Sequence, residues 1–346
     1  MRAAMLLLSL ALAALLLLLQ PAFTFPAEGA PAAGTPARNP DITIVTDEAD
    51  AALAILDRIR AGRAVRDEDW RRLRESEGYR RLRKREESMG RRFSDSTFAA
   101  FLHADSTRAR TEALRRTVTA WKQADLASAG RRALAYLPAG VVIRARVYLT
   151  IKPWTNSFVF ETKTDPAIFL YVDPKVSAAK FENTVAHELH HIGYAGACTA
   201  SEDTTLAPEV RTARMWMGAF GEGLAMLAAA GGPDVHPHAV SDSVERGQWA
   251  RSRNRFPEDL RELERFFLDV LERRITDPDS VRSRAMEFFG QQGPWYTVGY
   301  TMAVAVERAG GKESLLEVLC DPPKLLEAYN RPWNRSMLIA DGKRIL

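Results

Sequence analysis

The chain contains six histidines, and three of them fall in the stretch His187-Glu188-Leu189-His190-His191. This is H-E-x-x-H. On a helix, residues four apart lie about 40° apart around the axis, so His187 and His191 can send both imidazoles to one metal ion. Glu188 is offset from His187 by about 100° and reaches a water beside the ion rather than the ion itself. Two nitrogen ligands and an adjacent carboxylate base are the parts of zinc-assisted hydrolysis. The chance of meeting the motif at random in a chain with this few histidines is on the order of 1%. The competing reading is a pair of solvent-exposed histidines on a surface helix.

Zinc needs a third protein ligand and an open position. A metzincin-type extension requires glycine at 194 and histidine at 197, and this chain has Tyr194 and Ala197. The stretch Met215 to Gly232 offers a better source, because its one ionisable residue is Glu222. Its other side chains are almost all apolar, which predicts a buried helix. A lone carboxylate there must be paired, neutralised or bound to metal. Glu222 is therefore the preferred third ligand. Its competitors are Cys198, just past the predicted helix end; Glu202, Asp203 and Glu209 in a polar, solvated-looking loop; and His236 and His238 flanking Pro237.

The pattern VAHELHHIGY followed by GAFGEGLAM resembles the gluzincin metallopeptidases, in which a downstream helix supplies a glutamate ligand. More narrowly it is similar to bacterial zinc-dependent peptidase families of unknown function. In those families a segment like DWRRLRESEGYRRL precedes the strands and one like GYTMA follows. The resemblance covers most of residues 41–330 and implies Zn2+ held by His187, His191 and Glu222, a zincin-like fold, and substrate lying along a sheet edge. The candidate edge is Ala167 to Val172. A hydrolytic site also uses a donor for the developing oxyanion. Tyr296 and Tyr300 share a face of a C-terminal helix, and either can donate or pack the core; Tyr300, deeper in the apolar stretch, is preferred.

The expected function is thus an exported zinc hydrolase, a peptidase with Glu188 as general base and a peptide or protein as substrate. The alternatives are a non-catalytic cell-envelope scaffold keeping a structural metal, and a zinc amidase acting on a non-peptide amide. Glu188 argues against the scaffold, since a structural site has no use for a carboxylate beside its first histidine.

These residues need elements to position them. At 346 residues, 46% apolar and 27% charged, the chain is neither wholly disordered nor a multi-span membrane protein. The helix carrying the motif starts at Asp173-Pro174 or Ser177, buries Phe181, Val185, Leu189 and Ile192, and can stop at Gly193 or Gly196. Before it, residues 138–172 hold three predicted strands: Val141 to Ile151, Phe158 to Phe160 and Ala167 to Val172. Residues 41–137 read as helical, and the fold class is α+β, mainly α, with a catalytic domain over 138–346. From Asp57 to Arg92 there are 14 basic and 8 acidic residues, interleaved at helical spacing. That pattern predicts a solvated, self-paired surface rather than a nucleic-acid interface. With a net charge of only +4, no nucleic acid is expected as partner.

Ala3 to Leu19 is an Ala/Leu run behind Arg2, and is read as a signal peptide or an uncleaved N-terminal anchor within residues 1–26. Residues 27–40 form a Pro/Ala/Gly linker. Either outcome places the remainder outside the cytoplasm, periplasmic or secreted, with a membrane tether in the second case. There Cys198 and Cys320 can pair, or remain two buried thiols.

Overall fold

A computed structural model describes residues 40–198 and 203–331. The N-terminal signal or anchor, nearly all of the linker, and Glu202 lie outside the described residues. The first half runs β1 (Asp41–Val45), α1 (Asp47–Arg60), α2 (Asp67–Glu75), α3 (Glu77–Ser88), α4 (Asp95–His103), α5 (Asp105–Arg108), α6 (Thr111–Lys122) and α7 (Leu126–Leu134). The sheet strands β2 (Arg144–Thr150), β3 (Phe158–Phe160) and β4 (Ala167–Tyr171) follow. Then come α8 (Ala178–Ala197), α9 (Pro208–Trp216), a 3-10 turn (Met217–Phe220), α10 (Gly221–Ala230), α11 (Ser243–Asn254), α12 (Phe256–Leu271), α13 (Pro278–Glu287), α14 (Pro294–Val318) and α15 (Pro322–Tyr329). The fold is α+β and mainly helical, as expected. Among the described residues no helix is long and apolar enough to cross a membrane.

Two sequence expectations need correction. Residues 41–137 are not wholly helical: Asp41–Val45 is a strand, paired in parallel with β2 from Asp41 opposite Arg144 to Val45 opposite Tyr148. Its β-branched run suits a strand, but the partner lies about a hundred residues away, beyond the reach of local pattern. The sheet order is β1-β2-β4-β3, so Ala167–Tyr171 is an interior strand and not an edge. β4 pairs in parallel with β2 on one side and antiparallel with β3 on the other. The outer place beside it falls to β3, because the chain passes β2, lays down β3 and returns into the gap.

One continuous core joins the first helices to the rest, from Ala49 and Leu53 on α1 through Phe169 on β4 to Trp295 on α14. The bases of the stretch 57–92 pair partly with its own acids, as in Arg58–Asp69 at 3.1 Å, and partly with acids beyond it, as in Arg83–Asp95 at 2.5 Å. Arg81 reaches across to the β3–β4 turn, pairing with Glu161 at 2.7 Å and Asp165 at 3.1 Å. Cys198 and Cys320 form a disulfide that ties the end of α8 to the segment after α14, 122 residues on. A disulfide typically stabilises a fold by about 2–4 kcal/mol.

Two charged groups lie buried where α1 meets the sheet. Glu48 accepts from the Ile151 N–H at 2.8 Å, and Lys152 donates to the Trp154 carbonyl at 2.8 Å and to Asn156 Oδ1 at 2.9 Å. Burial pushes the Glu48 carboxyl up to about 8, against the pull of Ile151 and Lys152, and pushes the Lys152 ammonium down to about 7. A carboxyl raised on folding stabilises the fold fully below its unfolded value of 4.5, and that contribution is lost as pH rises through about 8. Lys152 acts in the opposite sense, but only above about pH 7. Glu48→Gln should therefore gain stability relative to wild type as pH climbs from 4.5 to 7. Thermal melts across that range check it; parallel curves for the two proteins would contradict the assignment.

Candidate metal centre

The helix that carries the motif is set before any metal is considered. Ser177 caps α8, its hydroxyl accepting from the Lys180 N–H at 3.1 Å. Phe181, Val185, Leu189 and Ile192 are buried, and Phe181 stacks on Trp121 with centroids 4.4 Å apart. The helix passes through Gly193 and Gly196 and ends at Ala197, a turn beyond the first predicted stop. Gly193 faces the segment after α7: a Cβ there would lie 2.2 Å from Leu137 Cδ1, so the glycine leaves room for that methyl group. His190, the third histidine of the cluster, turns away from the site. Its Nε2 donates to the Tyr136 carbonyl at 3.1 Å, and burial lowers its pKa to about 3, leaving it neutral.

His187, His191 and Glu222 come together. The two Nε2 atoms are 3.0 Å apart, and Glu222 Oε2 lies 3.3 Å from that of His187 and 3.4 Å from that of His191. Tetrahedral zinc with ligands at about 2.0–2.2 Å holds neighbouring ligand atoms about 3.3–3.6 Å apart. The two sides to Glu222 match one face of such a tetrahedron, and the Nε2–Nε2 side, at 3.0 Å, is a few tenths of an ångström shorter. Glu222 is 3% exposed, and its Oε2 has no directed hydrogen-bond donor although two ring nitrogens face it. Three acceptor-bearing atoms pointed at one spot are what a divalent cation satisfies.

The electrostatics agree with the geometry. Burial pushes the Glu222 carboxyl up, but the His191 and His187 rings outweigh it and hold the group far below the usual carboxylate range. Burial works against the charged form of His191, and Glu222 with Glu188 reverses that and raises it. Glu188, also buried, is raised by desolvation and by Glu222, against the opposing pull of His187 and His191.

Glu222 reaches this spot because α10 lies backbone-to-backbone on α14. A Cβ on Gly223 would sit 1.9 Å from the Tyr300 nitrogen, and one on Gly299 would sit 2.5 Å from the Phe220 carbonyl oxygen. On the other side, Asn183 of α8 donates to the Ala229 carbonyl of α10 at 3.0 Å and fixes the spacing between the two ligand-bearing helices. The stretch expected to be one buried helix is in fact divided into the end of α9, a 3-10 turn and α10.

The tyrosines separate. Tyr296 lies beside Glu222, and burial together with the Glu222 and Glu188 charges drives its phenol well above 10. Tyr300, preferred from the sequence, packs instead against Trp249 and under Arg253. The other candidates for third ligand also lie elsewhere. Cys198 is in the disulfide, and Asp203 accepts from the Thr205 N–H at 3.0 Å. Glu209 is buried in the first turn of α9, not solvated as its polar surroundings suggested. His238 Nδ1 is 3.0 Å from the Ser241 hydroxyl, and His236 Nδ1 accepts from the His238 N–H. Sequence reading missed Asn183 and the Gly223–Gly299 contact; glycines on either side of Glu222 were the available signal.

The arrangement makes a joint prediction. Glu222→Gln should bind zinc far more weakly, and Gly223→Ala should do the same without touching a ligand, by forcing α10 off α14. Metal analysis by competition with a chelator checks both. Zinc held at wild-type affinity by Glu222→Gln would remove the residue from the site.

No curated protein and no solved structure matches the chain. One family does: residues 64–335 match it, most of the chain's length, and the chain belongs to this family, described as "Putative zinc dependent peptidase (DUF5700)".

Proposed function

We propose that the chain is an exported zinc peptidase of the gluzincin type, with His187, His191 and Glu222 holding the ion. The observation that carries this reading is the triangle of three ligand atoms with Glu188 buried beside it. Zinc bound there would act as a Lewis acid on the scissile carbonyl and make water more acidic. Glu188 takes a proton from the attacking water, and its raised pKa suits a base that must hold that proton briefly. The same carboxyl then returns the proton to the amine as the carbon–nitrogen bond breaks. Water is consumed, and a carboxylic acid and an amine are released.

Tyr296 is the better-placed oxyanion donor of the two tyrosines. Its phenol stays protonated, since desolvation and two nearby carboxylates oppose its ionisation. β3, the edge strand next to α8, replaces Ala167–Tyr171 as the place for an extended substrate to pair. Export is supported by the Ala/Leu run behind Arg2 and by the Cys198–Cys320 disulfide, which suits an oxidising compartment.

Two variants test the roles. Glu188→Gln should keep one zinc per chain and the wild-type melt while hydrolysis of a peptide library falls by orders of magnitude. Loss of the metal, or normal turnover, would refute the assignment. Tyr296→Phe should lower kcat by about 10²- to 10³-fold with little change in thermal stability, and Tyr300→Phe should leave kcat near normal. A reversed pattern would return the donor role to Tyr300.

A further inference from the structure

The helices that build the metal centre continue past it. Gly223 lies against Gly299 and Tyr300, and Arg308 donates to the Pro233 carbonyl, just beyond α10, at 3.1 Å. α10 and α14 therefore run side by side in the same direction. Tyr296 and Tyr300 share a face of α14, separated by about 6 Å of helix rise. Over Tyr300 lies α11. Trp249 packs edge-on to its ring, centroids 5.4 Å apart, and the Arg253 guanidinium sits over it at 5.4 Å from the centroid while donating to the Thr301 hydroxyl.

Arg253 is half-buried, yet among the described residues no carboxylate forms an ion pair with it. Its ionic neighbours are mainly of the same sign. Burial disfavours its charge and Arg308 adds to that, against the pull of Tyr300; burial, then Arg246 and Arg253, disfavour the charge of His236. The nearby Asp234 is engaged by Arg308 at 2.9 Å, and Arg246 donates to the Ser241 carbonyl. A partly desolvated cation without a counter-ion is costly, and the two buried arginines among the described residues, Arg81 and Arg85, do have acids. The Tyr300 ring and Thr301 fix the plane of the guanidinium and use one of its five donors, leaving a fork suited to a carboxylate.

We propose that Arg253 is a specificity-determining residue that binds a substrate carboxylate one helical turn along α14 from the metal centre. This rests on the peptidase reading. Extended peptide advances about 3.3 Å per residue, so the carboxylate belongs within the first few residues of the cleaved bond. It is either the peptide's own C-terminus or the side chain of an Asp or Glu.

The test uses the full mature, zinc-loaded protein and short peptides made as free acids, as C-terminal amides, and as amides with one internal Glu. Wild type should show a KM about 10- to 100-fold lower for a carboxylate-bearing peptide than for its uncharged amide. Preference for the free acid assigns the C-terminus, and preference for the internal Glu assigns the side chain. Arg253→Met should erase the preference through KM, and Arg251→Met, an exposed arginine on the opposite side of α11, should not. Equal KM values in wild type, or a preference that survives Arg253→Met, would overturn the proposal, and the wild-type comparison needs no variant to fold. Calorimetric binding of N-acetyl-dialanine and its amide to Glu188→Gln reads the same site without turnover. Arg253-dependent binding with no hydrolysis of any peptide by wild type would keep the anchor and remove the peptidase reading.

Discussion

The fold is organised around one buried carboxylate facing two imidazoles. Glu222 is nearly inaccessible to solvent, has no basic residue on its own helix, and directs Oε2 at two ring nitrogens. An ionised carboxylate in such surroundings costs several kcal/mol unless a cation or strong donors compensate it. His187 and His191 provide part of that compensation, and a divalent ion would provide the rest. The arrangement holds only if three helices keep fixed distances. Glycine contact sets α10 on α14, the Asn183 amide sets α10 on α8, and His190 ties α8 to the end of α7. The cysteine bridge closes the far end of the same unit.

How much of this was legible in the sequence follows from the range of each signal. The H-E-x-x-H helix, its Ser177 cap and its buried stripe are local features with a 3.6-residue period, and they appear where expected. Glu222 was legible for a different reason: a single charge in an apolar stretch is anomalous wherever it occurs. β1 was not legible as part of the sheet, because its parallel partner is supplied by a crossover through seven helices. The place of β4 inside the sheet was hidden for the same reason. The choice between Tyr296 and Tyr300 was beyond periodicity altogether. Residues four apart share a face, and what separates these two is where α10 crosses α14, which depends on backbone contact at Gly223 and Gly299.

The first helical region has a structural part to play as well. It contributes β1 to the sheet, the buried Glu48 carboxyl that accepts from the Ile151 N–H, and Arg81 to the β3–β4 turn. Lys152 in turn holds the carbonyls of Trp154 and Asn156, which lead into β3, the strand proposed to meet substrate. The charged N-terminal helices and the metal centre are thus connected through the sheet, even though chemistry uses none of their side chains.

The central claim is that one zinc is held by two histidines of α8 and the single glutamate of α10. A crystal structure of the zinc-loaded protein, with anomalous data collected on both sides of the zinc edge, tests it most directly. The account predicts one strong peak per chain within about 2.2 Å of His187 Nε2, His191 Nε2 and Glu222 Oε2, with a fourth position open to solvent. A peak bound by His236 or His238, or one that leaves Glu222 outside bonding distance, would contradict it.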